Sequence, residues 1–186
     1  MIMDIKEAMS EYKLRTCNEI ESWDTDERFE LIDGVIYLMS PPNRAHQKIC
    51  GELYRQLANF LFGKKCEVYI APFAVYLSGN DTRVEPDIVV VCDKSKLTNK
   101  GCEGTPDLVI EVLSPSTSRY DKINKYNKYL EAGVREYRIV DIEYKIISVY
   151  NLENGKYTCD VYSDENTIPV SVLDGCQIIA KDVFSE

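Results

Sequence analysis

Apolar positions along the chain change period several times, and each change marks an element. Between residues 45 and 62 they recur at 49, 53, 57, 58, 60 and 61, the spacing of an amphipathic helix. Gly63 and two lysines end that helix well. Residues 84–92 (VEPDIVVVC) and 107–113 (DLVIEVL) are short, nearly continuous and rich in β-branched residues, which predicts two central strands. Residues 28–39 form two apolar runs about Asp33-Gly34, a strong two-residue hairpin turn. Residues 66–77 read as a strand kinked at Pro72, and the turn at 78–81 leads into the first central strand. The lysine-rich stretch 93–103, with Gly101 and Gly104 near its end, reads as a mobile loop. Capping residues at 114–118 precede a helix over Arg119–Ala132, closed by Gly133. A strand at 136–141, a hairpin of 145–151 with 156–162 about Glu153-Asn154-Gly155, and a last strand at 176–180 complete the pattern.

The order predicts an α/β fold: an N-terminal hairpin, a helix, a three-strand meander, a second helix and a strand. The step after Glu111 is long enough for a right-handed parallel crossover, so the sheet is mixed and flanked by helices. Residues 1–27 read as a helical arm, with a short second helix near 17–23, and residues 28–186 as one domain. A chain of 186 residues, 45% hydrophobic and 28% charged, suits a single core. No apolar stretch approaches the length of a membrane span, and the first residues lack the apolar region of a secretory signal, so a cytoplasmic protein is the expectation. The net charge of −9 argues against broad non-specific binding to DNA, which needs a basic surface, but not against a local basic groove. Seven cysteines without a Cys-x-x-Cys pair read as reduced, structural residues.

The candidate chemistry lies in the two central strands. Asp87 and Glu111 each sit in a run that should be buried, where an ionised acid needs a compensating cation or hydrogen bonds. Strand alternation puts Glu85, Asp87, Val89 and Val91 on one face and Asp107, Val109, Glu111 and Leu113 on one face of the next strand. If those faces coincide, the two acids converge on one cation. Mg²⁺ favours such oxygens, and the Val112 carbonyl beside Glu111 is a further candidate ligand. The following helix carries Arg119, Lys122, Lys125 and Lys128, and a lysine near the ion could orient the attacking water or stabilise a phosphoryl transition state. Each residue also has a plain structural reading. Asp87 could cap a turn after proline, and Glu111 could pair with an arginine. Asp121 and Lys125 could be a surface helix pair. His46 could cap or pack, Glu30 could be an exposed hairpin residue, and Glu85 reads as a solvated edge acid. The lysines at 94, 96 and 100 most simply solvate a loop.

Several segments in order carry a family resemblance over residues 28–150. They are Arg-Phe-Glu-Leu-Ile-Asp-Gly at 28–34, Ser-Pro-Pro at 40–42 with His46, Ala-Pro-Phe at 71–73 and Glu-Pro-Asp at 85–87. Pro-Asp-Leu-Val-Ile-Glu-Val-Leu-Ser-Pro-Ser-Thr at 106–117, then Asp121, Lys125 and Tyr129 four apart, and Ala-Gly-Val-x-Glu-Tyr at 132–137 follow. The chain resembles the PD-(D/E)XK nuclease superfamily, and within it the bacterial Uma group (the second of that name), described as "putative restriction endonuclease". The resemblance implies a restriction-endonuclease-like core and Mg²⁺-dependent hydrolysis of nucleic acid, most simply DNA, with Mn²⁺ as a substitute. It makes Asp87 and Glu111 the metal-binding acids. Leu113 stands where the superfamily pattern has lysine; the resemblance moves that lysine to the helix, at Lys125, with Lys122 as the alternative. Glu30 and His46 are possible additions to the site. Nucleases of this fold often form homodimers, and the 145–162 hairpin offers an edge for pairing. Two rivals remain: a catalytically silent binding module with the same fold, favoured by Leu113 and the acidic surface, and a hydrolase of small phosphoesters.

Overall fold

The fold is seen in a computed structural model, which describes residues 13–77, 79–113 and 119–185, with the side chains of 119–122 left aside. The expected arm falls partly outside these residues. Its described part contains a short helix, α1 (Cys17–Ile20), capped by the Thr16 side chain on the Glu19 amide. Cys17 and Ile20 bury against Phe29, Leu31 and Ile36 of the first hairpin, β1 (Phe29–Ile32) and β2 (Val35–Leu38). Asp33 and Gly34 both adopt positive φ, as a two-residue turn of matching twist demands.

Helix α2 (Arg44–Leu61) follows, with the Asn43 side chain accepting from the His46 amide. Its buried stripe is His46, Ile49, Cys50, Leu53, Leu57 and Leu61. The chain then passes twice between two sheets. The expected strand at 66–77 is two strands, β3 (Glu67–Ile70) and β4 (Val75–Tyr76). The expected strand at 84–92 is likewise two, β5 (Arg83–Val84) and β6 (Ile88–Val91). The breaks fall at Pro72 and Pro86, which have no amide hydrogen to give a ladder. β4 and β5 join the β1–β2 hairpin, whereas β3 and β6 pair with each other in the other sheet.

Residues 93–103 are an ordered excursion rather than a loose loop: a 3₁₀ turn (Lys94–Lys96), then β7 (Leu97–Thr98) and β8 (Gly101–Glu103). β8 lies parallel to β4, and the Cys102 amide donates to the Ala74 carbonyl at 2.9 Å. Gly101, at φ +140°, makes this approach possible, since a Cβ there would sit 2.1 Å from the Ala74 oxygen.

β9 (Leu108–Val112) pairs antiparallel with β6, completing the β3–β6–β9 meander. α3 (Arg119–Ala132) then crosses to β10 (Glu136–Asp141), which lies parallel to β9 as expected of a crossover. β11 (Ile146–Glu153) and β12 (Lys156–Ser163) form the long hairpin about Asn154 and Gly155. The larger core sheet therefore runs β12-β11-β10-β9-β6-β3, and the other runs β2-β1-β5-β4-β8-β7. A two-stranded ribbon, β13 (Thr167–Pro169) with β14 (Gln177–Ile179), and a short helix α4 (Ala180–Val183) close the chain. The pattern had shown only the second strand of that ribbon.

Strand alternation divides the core. Ile88, Val90, Leu108, Ile110 and Val112 face α2 and the C-terminal ribbon. Val89, Val91 and Val109 face the other way, onto Tyr129 of α3 and onto Ile32, Val75 and Val84 of the second sheet. One cysteine expectation is corrected: Cys66 and Cys92 form a disulfide. The two extend the β3–β6 ladder one step beyond Glu67↔Val91, so the register sets them opposite each other. Four of the five free cysteines are buried, and Cys159 is exposed. Among the described residues no helix is long and apolar enough to cross a membrane.

Candidate active site

The β6–β9 register explains why two acids meet. Ile88 lies opposite Ile110, so the next step brings Asp87 level with Glu111. Both line one cleft of about 180 Å³, together with Glu30, His46, Lys125 and the Val112 backbone. The cleft opens where the ends of β6 and β9, the hairpin strand β1 and helices α2 and α3 come together.

Lys125 is the centre of one half. Its Nζ lies 2.8 Å from Glu30 Oε1 and 3.1 Å from Glu111 Oε1. The Tyr129 hydroxyl, one helical turn on, donates to the same Glu111 oxygen at 2.7 Å. Glu30 Oε1 also accepts the Glu85 amide at 2.9 Å. Asp87 organises the other half. Its Oδ2 accepts the Val112 amide at 2.8 Å and lies 3.2 Å from His46 Nε2. His46 Nε2 is also 3.1 Å from the Val112 carbonyl oxygen, and its Nδ1 is 3.5 Å from Cys50 Sγ. Among the described residues the donors reach one oxygen of each acid, Glu111 Oε1 and Asp87 Oδ2.

The electrostatics follow from burial and crowding. Desolvation, opposed by Lys125 and reinforced by the charges of Asp87 and Glu30, pushes Glu111 up to about 7. Burial alone would make Lys125 easier to deprotonate, but Glu111 and Glu30 outweigh it and hold the ammonium well above its usual range. His46 is pulled down by burial and raised more by its hydrogen bond and attraction to Asp87. Burial and the charge of Glu111 raise the Tyr129 phenol well above its usual range, so it stays a neutral donor. Burial also raises the Cys50 thiol far above its usual range.

The structure thus brings Asp87, Glu111, Lys125, Glu30, His46 and the Val112 carbonyl to one place. The Lys122 side chain lies outside the described residues. Glu30, read as a possible exposed hairpin residue, is buried at 4% exposure because it meets Lys125. Glu85 is corrected from a solvated edge acid to a buried one: Arg28 holds its Oε2 at 2.8 Å and Arg83 its Oε1 at 2.6 Å, so both oxygens are taken. The pattern missed Tyr129 as the partner of Glu111, although its four-residue spacing from Lys125 was the available signal. It also missed Cys50, whose place one turn after His46 on α2 only the burial stripe could have shown.

A family model, Uma2, described as "Putative restriction endonuclease", matches residues 14–180. The chain belongs to the Uma2 family. An uncharacterized Synechocystis sp. protein, slr1290, is 33% identical to it over 103 residues, 55% of this chain and 54% of that protein. A second Synechocystis protein, sll1609, also uncharacterized, is 25% identical over 118 residues, 62% of this chain and 67% of the other. The Uma2 chain thus spans about half the length of the first of these relatives. A crystal structure from Anabaena variabilis, described as a putative nuclease belonging to DUF820, superposes with a TM-score of 0.76 at 21% identity, covering 91% of this chain and 97% of that one. This match and the strand order together show a restriction-endonuclease-like core.

Proposed function

We propose that this Uma2 chain is a Mg²⁺-dependent endonuclease that hydrolyses phosphodiester bonds of DNA. The observation that supports it is the convergence of Glu30, Asp87 and Glu111 on one cleft with the Lys125 ammonium between two of them. The donor set fits a hard divalent ion. Glu30, Asp87 and Glu111 bring carboxylate oxygens to the cleft beside the Val112 backbone, and carboxylate and carbonyl oxygens are the ligands Mg²⁺ takes. Asp87, Glu111 and the Val112 carbonyl would hold the ion. When bound, it supplies activation of a water and neutralisation of charge on the phosphoryl group.

The chain's own residues do the rest. Lys125 stays protonated, so it acts as a fixed positive charge for the phosphate and not as a base. Tyr129 and Lys125 fix one Glu111 oxygen and thereby aim the other. The Val112 amide holds the Asp87 carboxylate in place through Oδ2, which keeps a second lone pair. The cleft volume suits a single phosphodiester group, so bases of a bound duplex would rest outside it. A homodimer, one protomer per strand, belongs to this reading as the simplest way to cut both strands.

The test is incubation of purified protein with supercoiled plasmid and Mg²⁺ or Mn²⁺, beside Asp87→Asn and Glu111→Gln. Wild type should nick the plasmid and both variants should lose at least about a hundredfold in rate. Equal nicking by wild type and Glu111→Gln would show contamination and remove the enzymatic reading.

A further inference from the structure

His46 stands at an unusual point in the cleft. Its Nε2 faces two oxygens at once, Asp87 Oδ2 at 3.2 Å and the Val112 carbonyl at 3.1 Å. These oxygens belong to two groups that the proposed function assigns to the ion. Octahedral bonds of about 2.1 Å set adjacent ligand atoms about 3 Å apart. The two observed separations match that edge length, so Nε2 and each of these oxygens are spaced as neighbouring ligands of one ion would be. The imidazole is 7% exposed and fixed on α2, whose register also buries Ile49, Cys50 and Leu53 against β6 and β9.

Resting on that reading of the cleft, we infer that His46 Nε2 is itself a ligand of the bound ion, beside Asp87 and the Val112 carbonyl. The centre then carries nitrogen as well as oxygen, and discriminates for a first-row transition ion such as Mn²⁺ over Mg²⁺ more strongly than an all-oxygen site. Cys50 completes the arrangement from behind. The ion-free contacts of Nε2 are both acceptors, so that nitrogen carries the hydrogen there. With Nε2 coordinated, the hydrogen resides on Nδ1, which faces Cys50 Sγ at 3.5 Å, and the sulfur accepts it. His46, Cys50 and Asp87 place their ligand atoms within 4.8 Å of one another. However, Cys50 meets the opposite ring nitrogen from Asp87, so the thiol orients the ring and does not ligate the same ion.

The experiment binds Mn²⁺ to the full chain and reads nitrogen hyperfine coupling by pulsed paramagnetic resonance. Wild type should show coupling from one directly bound nitrogen, and His46→Gln should lose it. In titrations, His46→Gln should raise the Mn²⁺ dissociation constant on the order of tenfold and that of Mg²⁺ by about threefold or less, which lowers the Mn²⁺/Mg²⁺ selectivity. Thermal melting of the ion-free variant checks that it folds, and the wild-type spectrum needs no variant at all. Mn²⁺ bound in wild type and lost in Asp87→Asn, but without nitrogen coupling, would overturn the role of His46 and leave the metal site standing. No Mn²⁺ binding by wild type would overturn both.

Discussion

Two clusters of buried charge lie on the β9–β10 pair, three residues apart along the ladder and on opposite faces of the sheet. Glu136 starts β10 level with Leu108, whereas Glu111 lies level with Ile139. Glu136 and Arg138 are wholly buried and pair with each other. The remaining Glu136 oxygen takes the Ser171 hydroxyl at 2.6 Å and the Val172 amide at 3.1 Å, and Arg138 Nη2 donates to the Pro169 carbonyl at 2.6 Å. Both oxygens of this acid are used, so the pair is closed and joins β10 to the segment around β13. The Glu111 cluster has, among the described residues, more acids, the lysine Lys125 and an opening to solvent. The same kind of chemistry is structural where both carboxylate oxygens are matched inside the core and available for a ligand where, among the described residues, the acids at an open cleft keep an oxygen that no donor reaches.

The largest expected effect comes from breaking the closed pair. Arg138→Met strands an ionised Glu136 and should destabilise the fold by about 3–5 kcal/mol in urea unfolding, while Mn²⁺ binding by the molecules that remain folded is unchanged. Lys125→Met leaves Glu30 and Glu111 facing each other in a cleft that ions can enter. It should cost about 2–3 kcal/mol without metal, and millimolar Mn²⁺ should restore most of the loss. If added ions restored nothing, the two clusters would be alike and the contrast would fail.

Glu111 supplies a pH signature. Its folded value of about 7 lies above the ordinary 4.5, so its contribution favours the folded state below about 4.5 and is lost as pH rises through about 7. Ion-free wild type should therefore lose stability relative to Glu111→Gln across that window, by about 1.4 kcal/mol per pH unit at most. Calorimetry at a series of pH values measures this, and a parallel pair of curves would refute it. The smallest effect belongs to Lys128, which meets the exposed Asp33 and Glu131 at 2.7 Å. Lys128→Ala should change stability by less than about 1 kcal/mol.

The two clusters were not equally legible. Asp87 and Glu111 stood out because each interrupts a run of β-branched residues, where an acid conflicts with its neighbours. Glu136 and Arg138 alternate with Tyr137 and Ile139, so they look like the polar face of an ordinary half-buried strand; only the packing of β13 over them makes that face interior. Lys125 was read through a resemblance, because a helical lysine by itself is unremarkable as a surface residue. Glu30 was half legible: the hairpin was clear, but the side chain that covers it comes from a helix some ninety residues away. The second sheet was the main feature hidden from the pattern. Its strands β4, β5, β7 and β8 have two or three residues each, too short to show a period. The Glu85 environment was hidden with it, since Arg28 and Arg83 belong to that sheet or its approach.

The chain's repeated passage between the two sheets has a consequence for assembly. Glu30 arrives on one sheet, Asp87 and Glu111 on the other, and Lys125 on the crossover helix, so no contiguous piece of the polypeptide holds the set. A nascent or half-unfolded copy carries the acids but not their geometry. The site therefore exists only in the folded chain, once both sheets and the crossover helix have come together.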